Sequence, residues 1–377
     1  MSQKNKLIEI FQVFFKMGCF AFGGPAAHIA MMEEEIVNKR NWFDRQHFLD
    51  LMGATNLIPG PNSTEMTMHC GHERAGMAGL FVAGFSFIFP AVTITLGFAW
   101  FYIAYGKIPA VESFFYGIKP AVLIIILAAV IKLGKKALKS WELAVLGALV
   151  LTASIIGINE ISALLTGGVV GAFYFYMKHK TTDNKLNTLI PFMLLQIPTN
   201  SIALISSMKV FWTFMKVGAI LYGSGYVLFA YLDAELVSQG WLTRQELLDA
   251  IAVGQFTPGP VLSTATFIGY QLAGFWGAIA ATFGIFLPSF LFVLILNPLI
   301  PKMRQSKLLS YFLDSVNLAA VAIMIAVLFK MSLETLTDWR AFVIIGIALL
   351  MHFYLKKANA MWIVLMGSIL GYLLHLI

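Results

Sequence analysis

The sequence predicts an all-α polytopic membrane protein made of two inverted-topology repeats with broken, re-entrant helices. Three observations carry that prediction. The 377 residues are 59% hydrophobic and 12% charged, where a soluble domain has about a quarter charged residues, and the apolar runs reach the ~20 residues needed to span a bilayer. A long internal repeat holds its register across most of the chain. Each copy also interrupts an apolar helix with the same tripeptide, Pro59-Gly60-Pro61 and Pro258-Gly259-Pro260.

The repeat is read from matched residues. Lys16, Gly18 and Gly23 match Lys216, Gly218 and Gly223, and Trp42, Arg45, Gln46, Leu49 and Asp50 match Trp241, Arg244, Gln245, Leu248 and Asp249. Beyond the tripeptides, Gly71, Ala75, Gly76, Phe85 and Pro90 match Gly269, Ala273, Gly274, Phe283 and Pro288, and Lys132 and Trp141 match Lys330 and Trp339. The organisation is a first repeat over 1–180, a linker with a single spanning helix over 181–207, and a second, inverted repeat over 208–377.

Each copy opens with an apolar segment broken by glycine, 7–32 around Gly23-Gly24-Pro25 and 208–232 around Gly223-Ser224-Gly225. An amphipathic stretch with the shared tryptophan follows, then the Pro-Gly-Pro break. Proline excludes the α region for the residue before it, so a helix ends near Asn56. Pro61 can open the next helix, where no N–H is needed. Such a break is tolerated at membrane depth only when buried in protein or lining a cavity. Four apolar segments complete each copy, near 76–105, 112–134, 141–157 and 160–177, with counterparts near 274–297, 310–331, 339–355 and 360–377. The first is long enough to call for tilt or a kink at Pro90.

The loops set the orientation of the copies. Lys132, Lys135, Lys136 and Lys139 crowd one loop of the first copy, and Lys178, Lys180 and Lys185 the linker. In the second copy the bias moves by one loop, to Lys302, Arg304 and Lys307 and to Lys356 and Lys357. Equivalent loops therefore face opposite sides. Inversion requires one unpaired crossing, assigned to the apolar stretch 189–208. The net charge of +7 is explained by this loop bias, and no nucleic acid is expected as a partner. The two cysteines, Cys19 and Cys70, suggest no disulfide framework, and no signal peptide is read at the N-terminus.

Inverted repeats with broken helices are the layout of secondary transporters, whose site lies at the repeat interface. The helix that starts after Pro61 presents free N–H groups and the positive end of its dipole, a ready anion site. The candidate ligands are Gly60, Asn62, Ser63 and Thr64 in the first copy and Gly259, Ser263 and Thr264 in the second. Gly23, Gly24, Gly223 and Ser224 at the earlier breaks join them, with Asn56 and Gln255 just before the tripeptides and Lys16 and Lys216 as cations. Asn62 as N-cap and Glu65 three residues on also fit a capping box. An ionisable group at membrane depth makes Glu65 the proton-coupling candidate. Arg74 stands near the mouth, where it either balances Glu73 or attracts anions. His28 reads as a hydrogen-bonded structural histidine. Glu65, His69 and His72 share a helical face, which supports a competing reading as a membrane-embedded metalloenzyme. Thr264, Ile268 and Tyr270 replace them in the second copy, and no metal or cofactor is expected.

The motifs Phe22-Gly23-Gly24-Pro25-Ala26-Ala27-His28-Ile29 and Asn56 through Met66, with the Trp42 stretch, resemble the chromate ion transporter family, two-domain long-chain type. The resemblance covers nearly the whole chain and departs at His72 and Glu73, where members often carry Tyr and Arg. It implies a secondary transporter, not an enzyme, that exports chromate, with sulfate as its analogue, across a prokaryotic cytoplasmic membrane. The expected partners are an inorganic oxyanion and the lipid bilayer, with a homodimer as an open alternative. A passive anion channel is the runner-up.

Overall fold

The computed structural model describes residues 2–22, 24–55, 57–106, 108–179, 205–222, 225, 227–296, 306–354 and 360–376. The spanning helix assigned to 189–208 lies outside them for most of its length.

The first repeat begins with two helical hairpins that enter and leave at one end of the bundle. Helix α1 (Gln3–Phe20) runs inward and breaks at Ala21. Helix α2 (Gly24–Met32) and the π-helical turn Glu33–Lys39 run back out. The return is fixed by Glu9, whose carboxylate accepts from Trp42 Nε1 at 3.1 Å and faces Arg40 at 3.5 Å. Helix α3 (Arg45–Thr55) goes in again, and α4 (Asn62–Tyr105) starts beyond the tripeptide. The short arm of α4 comes back to the same end, where His47 meets Glu73 at 3.2 Å and Arg74 meets Glu9 at 2.8 Å. There α4 reverses at Ala75 (φ −147°, ψ 24°) and Gly76 (φ 63°, ψ −151°). Gly71 and Gly79 let the two arms touch backbone to backbone. The reversal lies at Ala75-Gly76 and not at Pro90, which sits inside the long arm of the helix.

After α5 (Pro109–Ala137), α6 (Trp141–Ile155) and α7 (Glu160–Lys178), the second repeat makes the same shapes with α8 (Ser207–Ile220), α9 (Leu228–Leu232), α10 (Arg244–Phe256) and α11 (Thr264–Leu296). Its reversal has nearly the same dihedrals, Ala273 (φ −147°, ψ 28°) and Gly274 (φ 62°, ψ −154°). Three helices complete it: α12 (Lys307–Thr335), α13 (Trp339–Tyr354) and α14 (Ala360–His375).

Side-chain contacts show the inversion. Phe290, late in α11, stacks on Phe81 and Phe85 at the start of the long arm of α4, with centroids 5.7 and 5.2 Å apart. Tyr102, at the other end of that arm, donates to Asp249 of α10 at 2.8 Å and packs on Phe267. Helices α4 and α11 are therefore antiparallel, and the hairpins of the second repeat enter from the end opposite to those of the first. Lys178 and Lys209, which flank the linker, lie at opposite ends. Lys178 pairs with Glu142, whereas Lys209 lies over Trp241 at 4.6 Å. The remaining helices lock the halves together across the repeat boundary. Gly117 of α5 meets Gly367 and Gly371 of α14 at backbone distance, the close approach small residues permit in a membrane. Five described helices are long and apolar enough to cross a bilayer.

Basic residues collect at the end where the chain starts. Lys39, Arg40 and Arg45 follow the first hairpin, Lys135, Lys136 and Lys139 close α5, Lys178 closes α7 and Lys307 opens α12. The ion pair of Lys139 with Asp314, at 2.6 Å, ties the last of these regions together.

Candidate functional site

The two Pro-Gly-Pro breaks meet the opposite repeat through one repeated hydrogen bond. Gly60 N–H donates to the carbonyl of Leu221 at 2.6 Å, and Gly259 N–H donates to the carbonyl of Ala21 at 2.9 Å. Ala21 and Leu221 occupy matching positions, each the residue that caps its broken helix. A terminal helix carbonyl has no intrahelical partner, so each break supplies the acceptor that the other repeat's tip needs. Both glycines have positive φ, 144° and 84°, and both are crowded. A Cβ on Gly60 would overlap the Glu65 carboxylate and approach Ser289 Oγ to 2.7 Å, and one on Gly259 would lie 3.0 Å from Ala91 Cβ.

Around this symmetric core the polar side chains differ. At the first tip His28 joins two elements, with Nε2 3.1 Å from the Ala21 carbonyl and Nδ1 3.2 Å from Ser63 Oγ. A carbonyl only accepts, so Nε2 carries the proton, and in the neutral ring Nδ1 accepts the Ser63 hydroxyl proton. Ser63 then has only lone pairs to offer elsewhere. At the second tip Thr95 of α4 donates to Ser263 Oγ at 3.2 Å, and Thr264 donates to the Val261 carbonyl.

The first tip also gathers buried polar atoms that lack partners among the described residues. Thr64 Oγ1, both Glu65 oxygens, Ser289 Oγ and both His69 nitrogens make no hydrogen bond among the described residues, and Glu65 is 0% exposed. Unpaired buried polar groups are costly, so a cluster of them beside a broken helix points to a ligand or a proton. Glu65 Oε1 and Ser289 Oγ both face Gly60, which draws groups from the two repeats to one point.

The remaining sequence candidates are distributed as follows. Gly23, Asn56, Gly223 and Ser224 lie outside the described residues; Gly24 has φ 76°. Gln255 is buried, with its Nε2 unpartnered among the described residues. Lys16 is exposed on α1. Lys216 is held by Glu235 at 2.7 Å. The sequence does contain the signal for that pair, because Glu35 and Glu235 repeat 200 residues apart just as Lys16 and Lys216 do. Arg74 ties α4 to Glu9 and lies 5.3 Å over the Trp42 ring, while Glu73 faces His47 instead. The capping box is not formed. Pro61 is the N-cap, without a side-chain hydrogen bond, Asn62 is the first helical residue, and the Glu65 carboxylate turns to Gly60. Among the described residues no three His, Cys, Asp or Glu side chains converge, Glu65, His69 and His72 included. Sequence reasoning did not single out Ser289 or Lys119 and used Asp249 only as a match in the repeat. Lys119 was visible as a lone charge inside an apolar helix.

Comparison with known proteins agrees with this architecture. A family model described as "Chromate transporter" matches the chain twice, over residues 8–172 and 208–372, one match per repeat. A "Probable chromate transport protein" of Synechococcus elongatus is 30% identical over 97% of this chain and 95% of its own length. "Chromate transport protein" of Cupriavidus metallidurans is 29% identical over 97% and 92%, and that of Pseudomonas aeruginosa 29% over 97% and 92%. No solved structure matches the chain.

Proposed function

The chain belongs to the chromate transporter family, and from that premise we propose that it is a secondary transporter that exports a tetrahedral oxyanion, chromate or its analogue sulfate, across a prokaryotic cytoplasmic membrane. The names of the family and the relatives are those of transporters, not of enzymes. The basic end faces the cytoplasm on the positive-inside rule. Inside-negative potential then expels a dianion by ~2.3 kcal/mol per charge per 100 mV, so no ATP site is required.

The observation that carries the reading is the reciprocal pair of tip hydrogen bonds. The Ala21 and Leu221 carbonyls hold the Gly259 and Gly60 amides where an oxyanion's oxygens would be held. Rocking the repeats apart removes the carbonyls and leaves amide-rich, dipole-positive helix starts for the anion. Hydrogen bonds to a charged acceptor contribute about 1.5–3 kcal/mol, against roughly 1 for neutral pairs, so a dianion competes effectively for these amides. Ser63 and Thr64 add hydroxyls from the first tip, Ser263 and Thr264 from the second. Glu65 is the proton carrier, and protonated it donates to the anion it would otherwise repel. A proton on His28 would reverse its bond to Ser63 and turn the Ser63 hydroxyl toward the substrate. Among the described residues no charged side chain is bonded to His28, which contacts Ser63, the Ala21 carbonyl and, 5.4 Å away, the Phe87 ring. Complete burial of Ser63, Thr64, Glu65, Ser263 and Thr264 supports an occluded carrier over an open channel.

The test is chromate uptake into everted membrane vesicles, with sulfate, molybdate and phosphate as competitors. Ser63→Ala and Thr64→Ala should lower uptake, and sulfate should compete best. Undiminished uptake in both variants would remove the tip from the pathway.

A further inference from the structure

At the end where the second repeat's hairpins enter, a cavity of about 650 Å³ opens between α4, α5, α10 and α12. Lys119 of α5 reaches it from inside an apolar helix, and Asp249 of α10 faces it with 4% exposure. Their contact is loose. Lys119 Nζ lies 3.5 Å from Asp249 Oδ1, beyond the 2.7–2.9 Å of a charge-assisted hydrogen bond, and Oδ1 has no closer partner among the described residues. Asp249 is held instead by Tyr102, through its other oxygen at 2.8 Å. Thr335 Oγ1, in a side chain 6% exposed, lines the same cavity without a partner among the described residues.

The other carboxylates at the rim are already engaged or open to the surroundings. Glu246 accepts from Thr243, Glu334 from Arg244, and Glu112 is exposed. The pair is particular to this end. In the repeat register Asn317 stands opposite Lys119, and Asp50, the counterpart of Asp249, is exposed. A bound metal ion fits poorly beside the Lys119 ammonium, whereas an oxyanion would gain that ammonium together with the Thr335 hydroxyl.

We propose that this cavity is a second oxyanion station, in which Lys119 binds the substrate and Asp249 is a tethered carboxylate that the substrate displaces from the ammonium. The station rests on the transporter reading above, lies on the far side of the tips from the basic end, and takes the anion on its way out. Tyr102 keeps the displaced carboxylate from following the ammonium.

Opposite signs for the two members of one ion pair test this. Equilibrium binding of chromate and of sulfate is measured on the purified full-length protein in lipid nanodiscs, with thermal melting of every variant. Lys119→Gln should weaken binding about tenfold or more, as loss of a charged hydrogen bond does, and Lys119→Arg should recover part of it. Asp249→Asn should tighten binding severalfold, because the competing charge is gone and the shape is kept. A merely structural ion pair would lower the melting temperature in both variants and weaken binding in both. That pattern, or an Asp249→Asn affinity equal to wild type, overturns the proposal. Ser63→Ala separates the two sites. If Lys119-dependent binding survives Ser63→Ala and flux is unchanged, the tip reading fails and the station stands. If Ser63→Ala removes binding and Lys119→Gln does not, the station fails and the tip stands.

Discussion

Replacing glycine by alanine at four positions separates backbone strain from crowding at the tips. Gly76 and Gly274 have φ of 63° and 62°, and a Cβ added to either meets nothing within 4 Å. Their ψ values, −151° and −154°, place them in a region almost reserved for glycine, where another residue costs about 1–3 kcal/mol. Gly76→Ala and Gly274→Ala therefore measure the conformational cost alone. Gly259→Ala adds a Cβ 3.0 Å from Ala91 Cβ and 3.2 Å from the Gly18 carbonyl, a tight fit that needs a small shift. Gly60→Ala adds overlap with the Glu65 carboxylate and a 2.7 Å approach to Ser289 Oγ, and such overpacking costs about 1–3 kcal/mol more. The expected order of destabilisation is Gly60→Ala, then Gly259→Ala, then the two reversal variants. Thermal melting of the detergent-solubilised protein reads that order. Chromate flux, measured well below each midpoint, should be lost in the two tip variants and kept in the two reversal variants. Ser289→Gly in the Gly60→Ala background should restore part of the stability, because one of the two overlapping groups is removed. If Gly60→Ala melts and transports like Gly76→Ala, the tips are not packed against each other's repeat and the reasoning fails.

Other perturbations separate the repeated lysines, the buried carboxylate and the orientation of the halves. Lys16→Ala should leave flux and melting unchanged, since Lys16 is exposed. Lys216→Ala leaves the buried Glu235 carboxylate without its 2.7 Å partner and should cost about 3 kcal/mol, most of it regained in the Lys216→Ala/Glu235→Ala double variant. Glu65→Gln keeps the shape of this buried, unpartnered side chain but removes its exchangeable proton, so flux should lose its dependence on the proton gradient; unchanged proton dependence would end the role of Glu65. In right-side-out vesicles an impermeant maleimide should label Arg340→Cys and not Lys136→Cys, and labelling of both from one side would refute the inverted arrangement.

The repeat, the breaks and the basic end were legible because each is written locally. A proline excludes helix for its own neighbour, a positive φ selects glycine on the spot, and a lysine-rich loop needs no partner to be recognised. The acceptors of the tip amides were not legible. Gly60 reaches Leu221 and Gly259 reaches Ala21, pairings set by how two distant copies dock, and a backbone carbonyl leaves no mark in the residue type that bears it. The same limit hid the partner of Lys216, which Glu235 holds at 2.7 Å. The repeat of Lys16 and Lys216 was read without that of Glu35 and Glu235, and the carboxylate decides where an ammonium rests.

Symmetry accounts for the scaffold, and departures from it must account for direction. Two identical inverted halves would present the same site to either side of the membrane, with no built-in difference between the two faces. The side chains that break the symmetry lie along one line of the chemistry already described. His28 answers to Leu228, Glu65 to Thr264, and Lys119 to Asn317. The first two sit at the tip of the repeat whose hairpins enter at the basic end, and the third lines the cavity at the opposite end. On the transport reading proposed above, proton-bearing groups at the first tip and an ammonium in the far cavity would make the two half-journeys of an anion chemically unequal. Restoring symmetry is therefore the sharpest single intervention. Glu65→Thr combined with Lys119→Asn should leave the duplicated fold and its melting transition in place while net flux in reconstituted vesicles becomes equal in the two directions under equal and opposite gradients. Flux that keeps its wild-type directional bias would show that direction resides elsewhere in the chain.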